Sequence, residues 1–242
     1  MKNLIRLFGI IALTVIIGFG MTACDNGTND NGTNVPTHTH NWEWEINTGS
    51  ISKKNCTICN EKNNGAIGDI GPGGGIIFYV DIEGFIVEGY GSSGDNGYFA
   101  GYTAYYLEAA PAGSGSLTWA SRNGDLIPGF SQNPSDPADW AIGRGRKNTA
   151  IIIAHGIANG YATPAASACA ASTGGRAWFL PSPSELNELY RRRISVGIGS
   201  SGVFWSSSQN GDDFAWGQSF STGGQGSSNK NSTRNVHAVS AF

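Results

Sequence analysis

The chain has 242 residues, of which 36 are glycine and only 14% are charged, and its formal net charge is −3. This composition is typical of a turn-rich domain and not of a helical bundle. The acidic balance argues against nucleic acid as the partner, because phosphate backbones are bound by an excess of Lys and Arg.

The N-terminus has the layout of an exported lipoprotein. Lys2 and Arg6 precede an apolar run of 13 residues, Leu7–Phe19, whereas a helix that crosses a bilayer needs roughly 20. We therefore interpret residues 1–23 as a signal peptide. The sequence Met-Thr-Ala-Cys that ends at Cys24 resembles the lipobox of bacterial lipoproteins, although Met replaces the usual leucine. An ordinary cleaved signal peptide with an incidental cysteine is the alternative.

Acylation of Cys24 predicts a membrane anchor on the outside of the cytoplasmic membrane, in a leaflet that the sequence leaves open. Several acyl chains on one cysteine hold a protein durably, whereas a single chain holds it only marginally. No other segment of the sequence is apolar enough to span. Removal of residues 1–23 takes away two positive charges and no acid, so the remaining chain carries −5.

Two short segments precede the main domain. Residues 24–37 contain a near-repeat of Asn-Gly-Thr-Asn and a single apolar residue, Val35, which predicts a disordered tether. Residues 38–64 are fewer than the roughly 40 that fold without a staple. A metal, a disulfide or disorder is therefore expected there.

The second of these segments contains a candidate zinc site. Cys56 and Cys59 have the C-x₂-C spacing of a zinc knuckle, and His38 and His40 stand two residues apart, so both face one side of an extended segment. Four such ligands would close a tetrahedral structural site. Asn60 favours the turn because it tolerates a left-handed conformation. The alternatives are a Cys56–Cys59 disulfide, as expected outside the cytoplasm, and free thiols.

The length of residues 65–242 suits one domain. Three helices are predicted: one capped by Asn148 and running to Ala158, one opened by Thr163 and Pro164, and one with a capping box at residues 182–185. Alternating or apolar runs between glycine-rich turns predict the strands. They cover residues 75–81, 104–109, 203–208, 213–220 and 235–242.

Five segments of this domain resemble a known family. They are Gly68–Val80, Trp178–Leu186 (WFLPSPSEL), Phe204–Ser208 (FWSSS), Ala215–Trp216 and Val236–Phe242. Together they resemble the Lcl C-terminal domain family, also called DUF1566, which is similar to the fibrobacter major paralogous domains. The resemblance covers residues 68–242. The two arginines of the family's last strand correspond to His237 and Ser240 here, so any role of those arginines does not carry over.

This resemblance implies a compact α+β fold related to C-type-lectin-like and formylglycine-generating-enzyme-like domains, with short antiparallel strands and about three helices. It also implies glycan recognition, because a collagen-like surface adhesin of the family binds sulfated glycans. A structural or protein-binding envelope protein is the alternative. An enzyme is a further alternative, because the formylglycine-generating relatives do covalent chemistry, which would require reactive cysteines in the main domain. We expect no enzyme, because the only cysteine there, Cys169, lies with Ala166 and Ala170 on the apolar face of a predicted helix, which favours packing over reaction.

Aromatic and basic residues are the candidates for ligand binding. Trp119 and Trp140, in loop-like surroundings, are predicted to form an exposed platform for a sugar ring. Arg144, Arg146 and Lys147, with the arginines at 191–193, are predicted to form a basic patch for sulfate or carboxylate. The alternative for these cations is a solvated helix start and a helix end matched to the dipole.

Two further expectations concern the remaining polar and aromatic residues. Trp178, Trp205 and Trp216 lie in the motif segments and are predicted to anchor the core. Calcium is not excluded, because Asp95-Asn96 and Asp212-Asp213 offer oxygen ligands, but the sequence shows no complete set of ligands.

Overall fold

A computed structural model describes residues 39–46, 50–130, 136–172 and 175–242. The signal peptide, Cys24, the predicted tether and His38 lie outside these residues. The described part is a mixed α+β structure with three sheets and four short helices. Among its helices, none combines the length and the hydropathy that spanning a bilayer requires.

The described residues contain twelve strands and four helices. The strands are β1 (Trp42–Glu45), β2 (Lys53–Cys56), β3 (Lys62–Asn64), β4 (Ile76–Val87), β5 (Tyr102–Ala109), β6 (Gly115–Thr118), β7 (Trp178–Phe179), β8 (Val203–Asn210), β9 (Phe214–Ser219), β10 (Gln225–Asn229), β11 (Thr233–Val236) and β12 (Val239–Ala241). The helices are α1 (Pro137–Trp140), α2 (Gly145–Ala158), α3 (Pro164–Ala170) and α4 (Pro183–Arg192).

The strands form three sheets with the orders β1-β2-β3, β10-β9-β8-β11-β6 and β4-β5-β12-β7. All neighbours are antiparallel except β11 and β8, which are parallel. The single terminal strand predicted over 235–242 is therefore wrong: β11 and β12 belong to different sheets. The chain changes sheet at His237 and Ala238, where Ala110 binds both residues. The backbone nitrogen of Ala110 donates to the Ala238 carbonyl at 2.9 Å, and its carbonyl lies 3.0 Å from His237 Nε2.

The segments that carry the family resemblance supply part of the core. Trp178 on β7 and Trp205 on β8 are buried, as predicted, whereas Trp216 on β9 is only half-buried. Phe204 stacks on Phe220 with ring centroids 4.0 Å apart. Burial of each large apolar side chain stabilises the fold by roughly 1.5–3 kcal/mol, so these strands carry much of its stability.

Helix α4 begins with the predicted capping box. The Glu185 backbone nitrogen donates to Ser182 Oγ at 3.2 Å, and the Ser182 backbone nitrogen donates to Glu185 Oε2 at 2.7 Å. The Glu185 carboxylate also accepts from the Gly143 nitrogen at 2.8 Å, so it fixes the turn before α2 as well. Burial raises the pKa of Glu185 to about 7. Leu186 and Leu189 of this helix are buried, as its apolar stripe predicts.

The other two predicted helices differ in detail. Helix α2 begins at Gly145 and not after Asn148, which is buried inside the helix. Asn148 Nδ2 instead donates to the Asp139 carbonyl at 2.8 Å, so its amide serves a tertiary contact. Helix α3 begins at Pro164 and buries Ala166 and Cys169, as predicted. Ala170 is exposed and does not belong to that buried face.

The small sheet of β1–β3 shares a core with the main domain. Trp44 packs edge-on against Tyr106 and Phe242, with ring centroids 5.6 and 5.2 Å away. Its Nε1 donates to the Ile70 carbonyl at 2.9 Å, and the Tyr106 hydroxyl donates to the Ser52 carbonyl at 3.1 Å. The segment predicted as a separate unit is thus docked on β5 through one aromatic cluster.

A second buried carboxylate lies under the glycine-rich turn before β4. The Gly73 nitrogen donates to both oxygens of Glu108, at 3.1 Å each. A Cβ at Gly71 or Gly73 would lie 2.3 or 2.7 Å from these oxygens, so the turn needs glycine there. Burial raises the pKa of Glu108 to about 7, against the opposing effects of the Gly73 hydrogen bond and Arg176.

Replacing Trp44 with Ala should release the small sheet. Loss of the aromatic contacts should lower the free energy of unfolding by about 2 kcal/mol and raise hydrogen exchange in β1–β3 more than in β4 and β5. Ile46→Ala is the matched control, because Ile46 is 46% exposed. Equal exchange in wild type and the Trp44 variant would contradict this docking.

The pKa of Glu108 predicts a pH dependence of stability. A folded-state pKa of about 7, above the ordinary 4.5, means that the folded protein holds this proton more tightly than the unfolded chain does. The free energy of unfolding should therefore fall as pH rises from about 4.5 to about 7. In Glu108→Gln the fall should be shallower, because the contribution of Glu108 is removed while that of Glu185 remains. Denaturant titrations across this pH range test it, with exposed Glu43→Gln as control; equal slopes in the Glu108 variant and wild type would refute it.

Candidate functional site

A cleft opens between α2, β7 and the loop before β5. Its volume is about 440 Å³, and its wall is mainly apolar. Ala150, Ile153 and Ile157 of α2 form one side, and the loop residues Tyr98 and Phe99 form another. Tyr98 and Ile157 are 43% and 66% exposed, so the rim offers apolar surface to solvent.

The loop that carries Phe99 is closed by backbone contacts. The nitrogens of Tyr90 and Phe99 donate to each other's carbonyls at 3.0 and 3.1 Å. Just outside this pair, a Cβ at Gly89 would lie 2.7 Å from the Gly101 nitrogen, so these two backbone segments lie too close together for a side chain at Gly89. The loop is thereby held over α2.

Arg146 is the cation of the cleft. Its guanidinium carbon lies 3.9 Å from the ring centroid of Phe99 and 5.5 Å from that of Tyr102. Within the described ranges, no carboxylate lies within ion-pair distance of Arg146. The cleft therefore combines an apolar wall with one positive charge whose orientation is set by aromatic rings.

The other two predicted basic residues of this region share one carboxylate as their ion-pair partner. Lys147 Nζ lies 2.6 Å from Glu88 Oε2, and Arg144 forms an ion pair with the same carboxylate oxygen. The structure thus brings Glu88, at the end of β4, against the start of α2. The predicted patch of three cations is reduced to Arg146 for an incoming anion.

The arginines at the end of α4 are largely committed within their own helix. Arg191 Nη1 lies 3.4 Å from Glu188 Oε1. Arg193 Nη1 donates to the Tyr190 carbonyl at 2.9 Å, and its guanidinium carbon lies 4.2 Å from the Tyr190 ring centroid. These contacts favour the interpretation as a helix end matched to the dipole.

The prediction that Trp119 is an exposed platform is wrong. Its side chain is 1% exposed and its Nε1 donates to the Ser206 carbonyl at 2.9 Å. The reason is β6, which pairs with β11 and carries Trp119 into the core. The Ser-Leu-Thr sequence before Trp119 is compatible with a strand, whereas the glycines and serines around it are typical of a loop.

Trp140, the second predicted platform, keeps part of its surface. It is half-buried at the end of α1 and packs edge-on against the half-buried Trp216, with ring centroids 5.1 Å apart. This pair forms a partly exposed aromatic surface. Trp140 does not line the cleft of Arg146.

Three of the residues around the predicted zinc knuckle converge. One ligand atom each of His40, Cys56 and Cys59 lies within 4.8 Å of the other two. His40 Nδ1 is 3.5 Å from Cys59 Sγ. Asn60 has φ of 60°, the left-handed conformation that the sequence predicts there. Cys56 and Cys59 are not joined to each other by a disulfide, and the predicted fourth ligand, His38, lies outside the described residues.

Of the residues considered for calcium, Asp212 and Asp213 lie near a buried lysine. Burial lowers the pKa of Lys230 to about 8, while Asp125, Asp212 and Asp213 oppose this shift. Lys230 Nζ donates to the Asp125 carbonyl at 2.7 Å and to Gln209 Oε1 at 3.0 Å. The ammonium group therefore supplies positive charge in this region. In the described part of the chain, the one group of three or more His, Cys, Asp or Glu at metal-binding separation is the His40 cluster.

Two residues with reactive side chains have structural contacts. Cys169 is fully buried, and burial raises the pKa of its thiol to about 12, so the thiolate is disfavoured, in keeping with the predicted packing role. His155, which appears isolated in the sequence, has its Nε2 3.3 Å from Asp125 Oδ1. Asp125 also accepts from Arg122 Nη2 at 2.8 Å, so the pair fastens the loop after β6 to α2.

Neither a protein-family model nor a curated protein sequence matches the chain. Among solved structures, it is similar to a fimbrial protein from Bacteroides ovatus, with a TM-score of 0.46 and 14% sequence identity. The match covers 69% of this chain and 44% of the fimbrial chain, so this chain spans less than half the length of that protein.

Proposed function

We propose that this chain is a lipid-anchored envelope protein whose main domain binds an acidic glycan in the cleft beside α2. The observation that carries the proposal is the setting of Arg146. Its guanidinium rests on Phe99 within an apolar wall, and no described carboxylate neutralises it. An anionic group that enters the cleft would meet this charge directly.

The chemistry of the cleft fits an acidic sugar. The apolar face of a pyranose packs on aromatic and aliphatic side chains, here Tyr98 and Ile153. A carboxylate or sulfate on the same ring would accept two hydrogen bonds from Arg146, because the guanidinium fork matches its geometry. The volume of about 440 Å³ lies within the roughly 300–1,000 Å³ of small-ligand sites.

We also propose that residues 65–242 have the Lcl C-terminal fold, related to C-type lectins. The support is the arrangement of the motif segments. Phe204–Ser208 lies on β8 and Ala215–Trp216 on the adjacent β9, while Trp178 on β7 is paired with Ser240 on β12. Within each of these two pairs, the resembling segments are neighbours in one sheet.

The proposed anchor rests on the lipobox-like sequence that ends at Cys24. Acyl chains on this residue would hold the protein to a membrane, and residues 24–37 would space the domain from the surface. Attachment outside the cytoplasm would bring the cleft to envelope or extracellular glycans.

A protein-binding role is the second candidate, and the apolar rim of the cleft favours it. Ile157 is 66% exposed and Tyr98 is 43% exposed. An apolar peptide segment of an envelope partner would cover both residues. Such binding would depend little on salt, whereas binding of a sulfated glycan weakens as salt rises.

Replacing Arg146 with Gln should weaken binding to heparin, used as the sulfated probe. Loss of one charge-assisted contact costs about 1.5–3 kcal/mol, or roughly tenfold or more in affinity. Arg191→Gln is the matched control, because it removes the same charge from a side chain that is 64% exposed and lies outside the cleft. We expect it to retain wild-type binding at constant ionic strength.

Equal retention of wild type and the Arg146 variant on a heparin column would remove this residue from the site. Equal weakening in both variants would show that heparin senses net charge and not the cleft. Dextran serves as the uncharged polysaccharide, and comparable binding to dextran would contradict selection for an acidic glycan.

Replacing Cys24 with Ala should abolish membrane attachment, because the acyl chains supply the apolar area that holds the protein. Detergent phase partitioning measures this directly. The matched control is Cys169→Ala, which removes a different thiol and should leave the protein in the detergent phase. A Cys24 variant that still partitions with detergent would show that the lipobox interpretation is wrong.

A further inference from the structure

We infer that His40, Cys56 and Cys59 supply three of the four ligands of one tetrahedral Zn²⁺ ion with a structural role, that a solvent molecule completes the tetrahedron, and that Glu61 orients His40 as a ligand. The three candidate ligand atoms lie within 4.8 Å of one another. Thiolate and imidazole together are a ligand set that zinc prefers. The site holds the small β1–β3 sheet and is separate from the cleft of the proposed function.

The separation of the ligand atoms fits a tetrahedral ion. Zinc binds sulfur at about 2.3 Å and nitrogen at about 2.0–2.1 Å, so a tetrahedral angle places these two atoms about 3.6 Å apart. His40 Nδ1 and Cys59 Sγ are 3.5 Å apart. A single ion could therefore contact both atoms without movement of either side chain.

His40 is held in the orientation that a zinc ligand requires. Its Nδ1 faces Cys59, while its Nε2 lies 3.5 Å from Glu61 Oε2. Its ring stacks on Trp42, with centroids 4.7 Å apart and planes 12° apart, and its side chain is only 5% exposed. Metal-bound histidines usually donate their second N–H to a carboxylate, which fixes the ring and its tautomer. Glu61 occupies that position.

The backbone joins the two halves of the site. The Asn60 nitrogen donates to the Cys56 carbonyl at 2.9 Å and so closes the turn between the cysteines. The Thr57 nitrogen donates to the Asn41 carbonyl at 2.9 Å, which ties this turn to the residue after His40. The left-handed Asn60 then redirects the chain into β3. The ligands are therefore placed by main-chain hydrogen bonds and not by side-chain contacts alone.

A bound metal ion would add stability to this small sheet. Strands β1–β3 comprise eleven residues, of which only Cys56 is buried, and their main apolar contact with the domain is Trp44. A unit of fewer than roughly 40 residues rarely folds by itself without a metal or a disulfide, so a metal would add to the docking on β5. Binding of Zn²⁺ would displace the thiol protons of both cysteines and stabilise the folded segment by the binding free energy.

The test uses the full chain, purified in detergent with added zinc and without added thiol reductant. Native mass spectrometry and metal analysis should find one zinc per chain. Cys59→Ser should lose this metal, while Cys169→Ser, which removes the buried thiol of α3, should keep it. Wild-type protein that carries no zinc would overturn the inference, as would a Cys56–Cys59 disulfide in the zinc-supplemented sample.

Cobalt substitution reads the coordination without any variant that could misfold. The Co²⁺-loaded wild type should show the intense visible bands of a tetrahedral site and a sulfur-to-cobalt charge-transfer band. Octahedral spectra without that band would overturn the inference.

Competition with a metal chelator tests the role of Glu61. Glu61→Gln should keep the tetrahedral cobalt spectrum and bind zinc about 10- to 100-fold more weakly. Glu43→Gln, an exposed glutamate on β1, should bind as wild type. Wild-type zinc affinity in the Glu61 variant would exclude the orienting role.

Discussion

Residues 233–242 pass from one sheet to the next within a few residues, and this crossing fixes how the sheets lie against one another. Strand β11 lies between β8 and β6, and three residues later β12 lies between β5 and β7. The two larger sheets are thus joined by covalent chain as well as by packing. Phe242 extends the same segment to the small sheet, because its ring contacts both Tyr106 and Trp44. One segment therefore aligns all three sheets.

The position of the cleft follows from this alignment. Strand β7 is only two residues long and is paired solely with β12 among the described strands, yet it supplies Trp178 and Phe179 to the floor of the cleft. Helix α2 is held on the other side by the Glu185 carboxylate and by the ion pairs of Glu88. The cleft is therefore lined by elements that are each held in place by residues far away in the sequence, as expected of a preformed binding site.

Features set by local chemistry were predictable from the sequence, and features set by distant pairing were not. The capping box of α4 and the left-handed Asn60 each involve residues a few positions apart, and both predictions are confirmed. The predicted exposure of Trp119 is wrong because its burial depends on the pairing of β6 with β11, which lies more than a hundred residues along the chain. The same holds for Glu88, which neutralises Lys147 across 59 positions and which no local pattern connects to it.

Glu88 also bears on selectivity. Three adjacent cations on an acidic chain would attract any polyanion through long-range charge. By pairing with Arg144 and Lys147, Glu88 cancels one of these three charges and leaves Arg146, on the wall of an apolar cleft, as the one of the three that has no carboxylate at ion-pair distance among the described residues. A ligand must then match the wall and the charge together, because neither alone supplies much binding free energy. In the proposed glycan site, that combination would favour an acidic sugar over a neutral glycan.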